Sequence, residues 1–341
     1  MRNGERAAAW FQPLTLQDPP PMRTPRFIDC TAPGPQPLAA EATAGLLARP
    51  ARLPPKFFYD ALGSRLFDAI TELPEYYPTR TEAAILVDHG HAITAAVHAA
   101  VGRGSTMIDL GAGNCAKAAN LFAAFEPARY VAVDISADYL QGTLQRLQQL
   151  HPAIEMVGVG MDFSSRLALP PEVAGGRSLV FYPGSSIGNF GPQAALRLLR
   201  EAHAAAAGGA LLIGVDRVKP AHVLEAAYDD ALGVTAAFNL NLLRHLNRLM
   251  GSDFDVRQWR HVALFDRAAS RIEMHLESRQ PLTVRWPGFE RNFEAGERIH
   301  TEDSYKWQPA DFLALLNEAG FNRVQHWTDA QDWFSVMVAR A

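Results

Sequence analysis

The run Thr106-Met107-Ile108-Asp109-Leu110-Gly111-Ala112-Gly113-Asn114, followed by Arg129-Tyr130-Val131-Ala132-Val133-Asp134, constrains the fold more than any other stretch of the chain. Two apolar runs of strand length are joined through a glycine turn and a helical segment, the pattern of parallel strands linked by a right-handed crossover. An apolar run that stops at an acid and two glycines lets the backbone turn sharply against a ligand. The acid closing the second run can accept hydrogen bonds from two ribose hydroxyls. The pattern therefore predicts a nucleoside-cofactor site. Because Gly111-x-Gly113-x-x-Ala116 also satisfies the looser dinucleotide pattern, the motif alone leaves S-adenosylmethionine (SAM) and a nicotinamide dinucleotide both open.

The alternation continues on either side. Strands are predicted at 106–110, 130–134, 155–160, 178–182 and 210–215, with helices near 116–125, 137–150 and 193–207; Ser136 is the expected N-cap of the second, and Gly208-Gly209 ends the last. Ahead of them, helical patterns occupy 38–48, 62–71 and 80–100, with the aromatic turn Leu73-Pro74-Glu75-Tyr76-Tyr77-Pro78 between. From about Lys219 to Tyr305 the alternation is interrupted by a helix at 222–250, broken at Gly233, and strands at 260–266, 271–278 and 281–286. A helix at 310–319 and strands near 322–327 and 333–339 then resume the sheet pattern. An insertion at the carboxyl edge of a parallel sheet lies where open α/β folds bind ligands, so it is expected to cover the cofactor. Residues 12–37 hold eight prolines, a density that predicts an extended, irregular arm over 1–37.

Composition narrows the function. With 341 residues, 48% of them hydrophobic and 20% charged, the chain has ample material for a core, and a net charge of -4 with no basic stripe argues against nucleic-acid binding. No apolar stretch has the length of a membrane span, and residues 1–25 carry charges and prolines where a signal peptide needs an apolar centre, so a cytoplasmic protein is expected. Cys30 and Cys115 alone make neither a disulfide framework nor a zinc site. His89-Gly90-His91 lacks metal-ligand spacing, and no metal is expected.

The ending, Leu315-Leu316-Asn317-Glu318-Ala319-Gly320-Phe321 followed by two closely spaced strands, resembles the close of class I SAM methyltransferases, a Rossmann-like α/β fold whose last strand runs antiparallel. Asp109 matches their first motif, although Cys115 stands where many members have a third glycine. A more specific resemblance lies in Leu53–Leu86, in Gly184-Ser185-Ser186-Ile187-Gly188-Asn189-Phe190, in Ala227–Asn239 and in Thr301-Glu302-Asp303-Ser304-Tyr305-Lys306. These segments are similar to the histidine-specific methyltransferase family, whose best-known members trimethylate the α-amino group of L-histidine to hercynine, the first step toward ergothioneine. The resemblance implies a class I sheet with an inserted α+β substrate-binding domain. It assigns 38–80 and 217–306 to that domain, 81–216 and 307–341 to the cofactor domain, and implies a small-molecule amino-acid substrate as partner; no membrane contact and a monomer are expected.

The resemblance also implies site residues. Around SAM the matching positions are Tyr59, Gly111, Lys117, Asp134, Asp162 and Phe163. Lys117 could reach the methionyl carboxylate, Asp134 the ribose and Asp162 the adenine amino group. The amino-acid pocket falls on Phe67, Tyr76, Gly184, Asn189, Tyr228, Thr235, Met274, Glu302 and Ser304. Asn189 and Tyr228 offer uncharged donors to an α-carboxylate. Glu302 and Ser304 point the same way if their segment is extended, and together could bind both nitrogens of an imidazole. Tyr59, Tyr76 and Asn189 are expected to position the reacting amine, neither tyrosine having a visible reason to act as a base. The rivals are a family member acting on another amino acid, such as a tryptophan derivative, a nicotinamide-dependent dehydrogenase, and a silent nucleoside-cofactor binding protein.

Overall fold

The computed structural model describes residues 23–30, 36–173 and 175–341. Its centre is an eight-stranded sheet in the order Arg26–Asp29, Glu155–Gly160, Arg129–Asp134, Thr106–Leu110, Ser178–Tyr182, Ala210–Asp216, Phe334–Arg340, Asn322–Thr328. The first six strands run parallel and Phe334–Arg340 is antiparallel to both of its neighbours. Ser178–Tyr182 and Ala210–Asp216 are buried along their whole length, as continuous apolar runs must be when helices cover both faces of a parallel sheet. The order reverses at Thr106–Leu110, so the glycine loop that follows opens into the crevice where such sheets bind ligands.

Four departures from the sequence reading have physical causes. Most of the proline-rich arm, at 1–22 and 31–35, lies outside the described residues. Within it, however, Arg26–Asp29 forms a regular strand parallel to Glu155–Gly160, because Arg26-Phe27-Ile28-Asp29 is a stretch free of proline. The helix expected near 116–125 is two short turns, Ala116–Ala119 and Phe122–Phe125. The one expected at 80–100 is two helices, Tyr77–Asp88 and Gly90–Val101, bent by 78°. Ser136 is not a side-chain cap of Ala137–Leu150; its hydroxyl turns to the Tyr59 carbonyl, 3.4 Å away. Among the described residues no single helix is long and apolar enough to cross a membrane.

The interrupting segment, joined by Ala51–Arg52 from earlier in the chain, builds a second sheet in the order Ala51–Arg52, Arg298–Tyr305, Arg271–Ser278, Trp259–Asp266, backed by the helix Val234–Met250. Leu282–Trp286 and Phe289–Phe293 pair separately as a hairpin. Arg298–Tyr305 was not anticipated, since its polar run hides the alternation of a strand. Its register slips between His300 and Glu302, a bulge that turns Glu302 opposite Met274 while the Thr301 hydroxyl bonds to the Met274 carbonyl at 3.0 Å. The two sheets join where the Trp307 amide donates to the Asp216 carbonyl (3.0 Å).

Candidate active site

The site is built from strand ends on one side and from four separate segments on the other. Gly111 follows Thr106–Leu110 with φ +71°, a conformation open to glycine, and turns the chain so that the Gly113 amide reaches the Asp134 carboxylate at 2.9 Å. The other Asp134 oxygen accepts from the Ser136 amide at 2.9 Å. Each oxygen thus has one backbone partner and spare lone pairs toward a cavity of about 270 Å³. Tyr59, Gly111, Asp134, Asp162 and Phe163 all line it. Burial pushes the Asp162 carboxyl up, but hydrogen bonds from Lys56 (2.7 Å) and Ser164 outweigh it and hold the group below its ordinary range. Lys56, which also lines the cavity, was missed by the sequence reading because its partner lies far along the chain.

Lys117 is placed differently from its expected position at the methionyl carboxylate. It lies outside the lining of this cavity, and its ammonium pairs at 2.7 Å with the buried Glu82, whose other oxygen accepts from the Gly184 amide (2.7 Å). The side chain is long enough to turn toward the cavity, at the cost of that pair.

A smaller adjoining cavity is lined by Tyr59, Phe67, Tyr76, Gly184, Asn189, Tyr228, Glu302 and Ser304, among others. Local sequence explains how they meet. Asp60 caps the helix Ala61–Thr71 by accepting from the Gly63 amide at 2.7 Å, and Gly63 is needed because a Cβ there would lie 1.8 Å from the Phe58 carbonyl oxygen. This fixes Tyr59 ahead of the helix and Phe67 on it. A Cβ on Gly188 would lie 2.9 Å from the Tyr305 carbonyl oxygen, so glycine there lets the turn Ser186–Asn189 rest on the strand that carries Glu302. Thr235 and Met274 stand apart from this lining. The Thr235 amide donates to Asp230 at 2.7 Å, opening Val234–Met250, and Met274 is a core residue beside Glu302 on the neighbouring strand.

The rings of Tyr59, Phe67, Tyr76 and Tyr228 follow one another at centroid separations of 5.9, 6.1 and 6.2 Å, all edge to face. Phe238 packs on Tyr59 and Phe67 and was not foreseen. Burial raises the hydroxyls of Tyr59 and Tyr76 well above the ordinary range, which suits positioning and opposes a role as base. Burial likewise pushes Glu302 up to about 8 despite Lys306 nearby. With its amide nitrogen toward Glu302, the orientation that satisfies both ends, Asn189 donates to Glu302 Oε1 at 3.2 Å and to the Asp303 carbonyl at 3.3 Å. Contact with a substrate carboxylate would require this amide to rotate. Behind the strand, Glu273, His300 and Asp303 converge, and Arg52 and Arg271 engage the two carboxylates.

A family model for histidine-specific, SAM-dependent methyltransferases matches residues 38–341. The chain belongs to that family. It is 42% identical to the histidine N-alpha-methyltransferase of Mycolicibacterium smegmatis, over 89% of this chain and 94% of that one, and 40% identical to the protein of the same name from Mycobacterium tuberculosis over the same shares. It is also 30% identical to ergothioneine biosynthesis protein 1 of Schizosaccharomyces pombe, across 80% of this chain and 37% of that longer protein. This methyltransferase therefore uses SAM, and the dinucleotide alternative falls away. The cavity beside Gly111 fits the cofactor on the structure's own terms, since Asp134 keeps spare lone pairs for two hydroxyls and Phe163 offers an apolar edge. Cys115, where a third glycine is common, adopts φ 59° and is buried, so the left-handed turn survives without glycine.

Proposed function

We propose that this methyltransferase transfers methyl groups from SAM to the α-amino group of L-histidine, giving hercynine for ergothioneine biosynthesis. The observation that carries the reading is Glu302 and Ser304 on one face of one strand, both lining the cavity that adjoins the cofactor crevice. An imidazole presents one N–H and one bare nitrogen, the complement of a carboxylate and a hydroxyl two residues apart. The names and 40–42% identities of the mycobacterial relatives support the same substrate. In this reading 38–80 and 217–306 form the substrate-binding domain, while 81–216 and 307–341 bind SAM.

SAM supplies an electrophilic methyl: the new N–C bond forms as the C–S bond breaks, positive charge passes from sulfur to nitrogen, and the amine has already given its proton to water. The chain's task is positioning, which can supply roughly 7–11 kcal/mol of such a barrier. Tyr59, Phe67 and Asn189 line both cavities, which supports a position for them between cofactor and amino acid. The faces of Tyr59, Phe67 and Tyr76 can accept the growing cationic head group. Asn189 and Tyr228 orient the carboxylate end, and transfer stops at three methyl groups because a quaternary nitrogen has no lone pair.

The test is incubation with SAM and a panel of amino acids, reading product mass and the site of methylation. Histidine carrying three methyl groups on its α-nitrogen is expected. Ring methylation, or no reaction with histidine while another amino acid is converted, overturns the assignment.

A further inference from the structure

At the floor of the substrate cavity, which Asp216 helps to line, is a buried charge cluster that the reaction as described does not use. Asp216, at the end of its strand, is paired with two lysines, Lys219 and Lys306, all three with side chains at most 1% exposed. Lys306 spends its three donors on Asp216 (2.8 Å), the Ser304 hydroxyl (2.8 Å) and the Tyr228 hydroxyl (3.0 Å). The two hydroxyl oxygens are themselves 2.7 Å apart.

We infer that Lys306 is a specificity-determining positioning residue: by occupying one lone pair on each of the Tyr228 and Ser304 hydroxyls it biases both toward donating to the substrate and, with Glu302 opposite, favours the imidazole form whose hydrogen faces Glu302. The inference rests on the proposed histidine substrate and deepens it. An ammonium can only donate, so each hydroxyl oxygen that accepts from it has less to offer a ligand as acceptor and keeps its proton to give. Without ligand, one of the two protons lies between Tyr228 and Ser304. A substrate with an acceptor at each end, a carboxylate beside Tyr228 and a bare ring nitrogen beside Ser304, draws both protons outward while Lys306 holds both oxygens in place. The other ring nitrogen must then carry the hydrogen, and it faces Glu302. A ring protonated the other way can put its N–H on the second lone pair of Ser304 only by leaving the Ser304 proton between the two hydroxyls, and it then turns a bare nitrogen to Glu302.

The charge count makes the inference testable. Removing Lys306 leaves Asp216 paired one-to-one with Lys219, which also holds Tyr77 at 2.8 Å, so the cluster stays balanced. Lys306→Met should raise KM for histidine about tenfold, with KM for SAM changed by less than about threefold. In a Tyr228→Phe/Ser304→Ala background the same substitution should add less than about threefold, because the hydroxyls it acts through are gone. An unchanged histidine KM, or the same tenfold rise in that background, overturns the role. Should Lys306→Met fail to fold, the Tyr228→Phe by Ser304→Ala cycle reads the same point with the lysine in place. Multiplying losses mean that both protons go to substrate, whereas a double variant no worse than the poorer single means that one stays between the hydroxyls, and the inference fails. Wild-type turnover of histidine is the control: its absence removes the substrate assignment, while its presence with a failed cycle removes only the role of Lys306.

Discussion

The cofactor side and the substrate side of this crevice are made in opposite ways. On the cofactor side, Gly111, Asp134 and Asp162 follow successive strand ends of one sheet, and Asp134 is held by backbone amides two residues after it and at Gly113. On the substrate side, Tyr76, Asn189, Tyr228 and Glu302 come from segments up to 226 positions apart (302 minus 76) and meet through side-chain bonds such as Asn189 to Glu302. A site made from strand ends is fixed by the sheet itself. One made by side chains from several elements depends on each of them, and can change ligand without changing fold.

The largest expected effect tests the cofactor side. Asp134→Ala should weaken SAM binding at least tenfold in calorimetry, consistent with charge-assisted hydrogen bonds of about 1.5–3 kcal/mol. It should leave histidine's KM at saturating SAM within about threefold. A matching rise in both would mean that the two sides are not separable. Next, Glu302→Ala should raise the histidine KM about tenfold with little change for SAM, and narrow the preference for histidine over phenylalanine, since a ring without nitrogen leaves the half-buried Glu302 carboxyl without a ligand partner. Unaltered discrimination between the two amino acids would remove Glu302 as the selecting group.

A smaller effect concerns pH. Burial holds Glu302 at about 8 against 4.5 unfolded, so between these values the folded, empty protein keeps a proton that the unfolded chain releases. Stability must then fall as pH rises through that window. Asp109, pushed up to about 7 by burial, contributes the same sign. The measurement is therefore the difference between wild type and Glu302→Gln, whose melting temperature should decline less between pH 5 and pH 8, by on the order of 2 °C. Parallel curves would place Glu302 in contact with water. The smallest effect is Ser136→Ala, which should change stability without ligand by less than about 0.5 kcal/mol, below the usual cost of losing a helix cap. A larger loss would restore the capping role that its geometry denies.

The same contrast explains what could be read from the chain. Strands at 106–110, 155–160 and 178–182 were legible to the residue because parallel strands buried on both faces are dominated by apolar residues and glycine, with Asp109 the one acid between their end residues. Arg298–Tyr305 was not, because its outward and cavity-facing positions are both polar: Glu302 and Ser304 serve the cavity while Asp303 faces Arg52 and His300. Gly111 and Asp134 followed from local motif spacing, whereas Tyr59, Asp162 and Phe163 came only with the family resemblance. Lys56 on Asp162, Glu82 on Lys117 and Lys306 beneath Tyr228 are pairings between distant residues, which no periodicity announces. Met274 and Thr235 show the converse: both lie outside the lining, Met274 packed in the core and Thr235 bonded through its backbone amide to Asp230 at a helix start.

The strand Arg26–Asp29 has a consequence for how the molecule behaves in company. Without it, Glu155–Gly160 would be the outermost strand of the large sheet, with Met156, Val157 and Val159 beside a row of unpaired amides and carbonyls, the arrangement that recruits a strand from another chain. Phe27 lies against Gly158, where a Cβ would come within 2.6 Å of the ring, so the covering strand is seated by shape as well as by hydrogen bonds. Four residues between prolines thus act as a guard against edge-to-edge aggregation, and a version of the chain begun after Asp29 should self-associate at concentrations where the full chain stays dispersed.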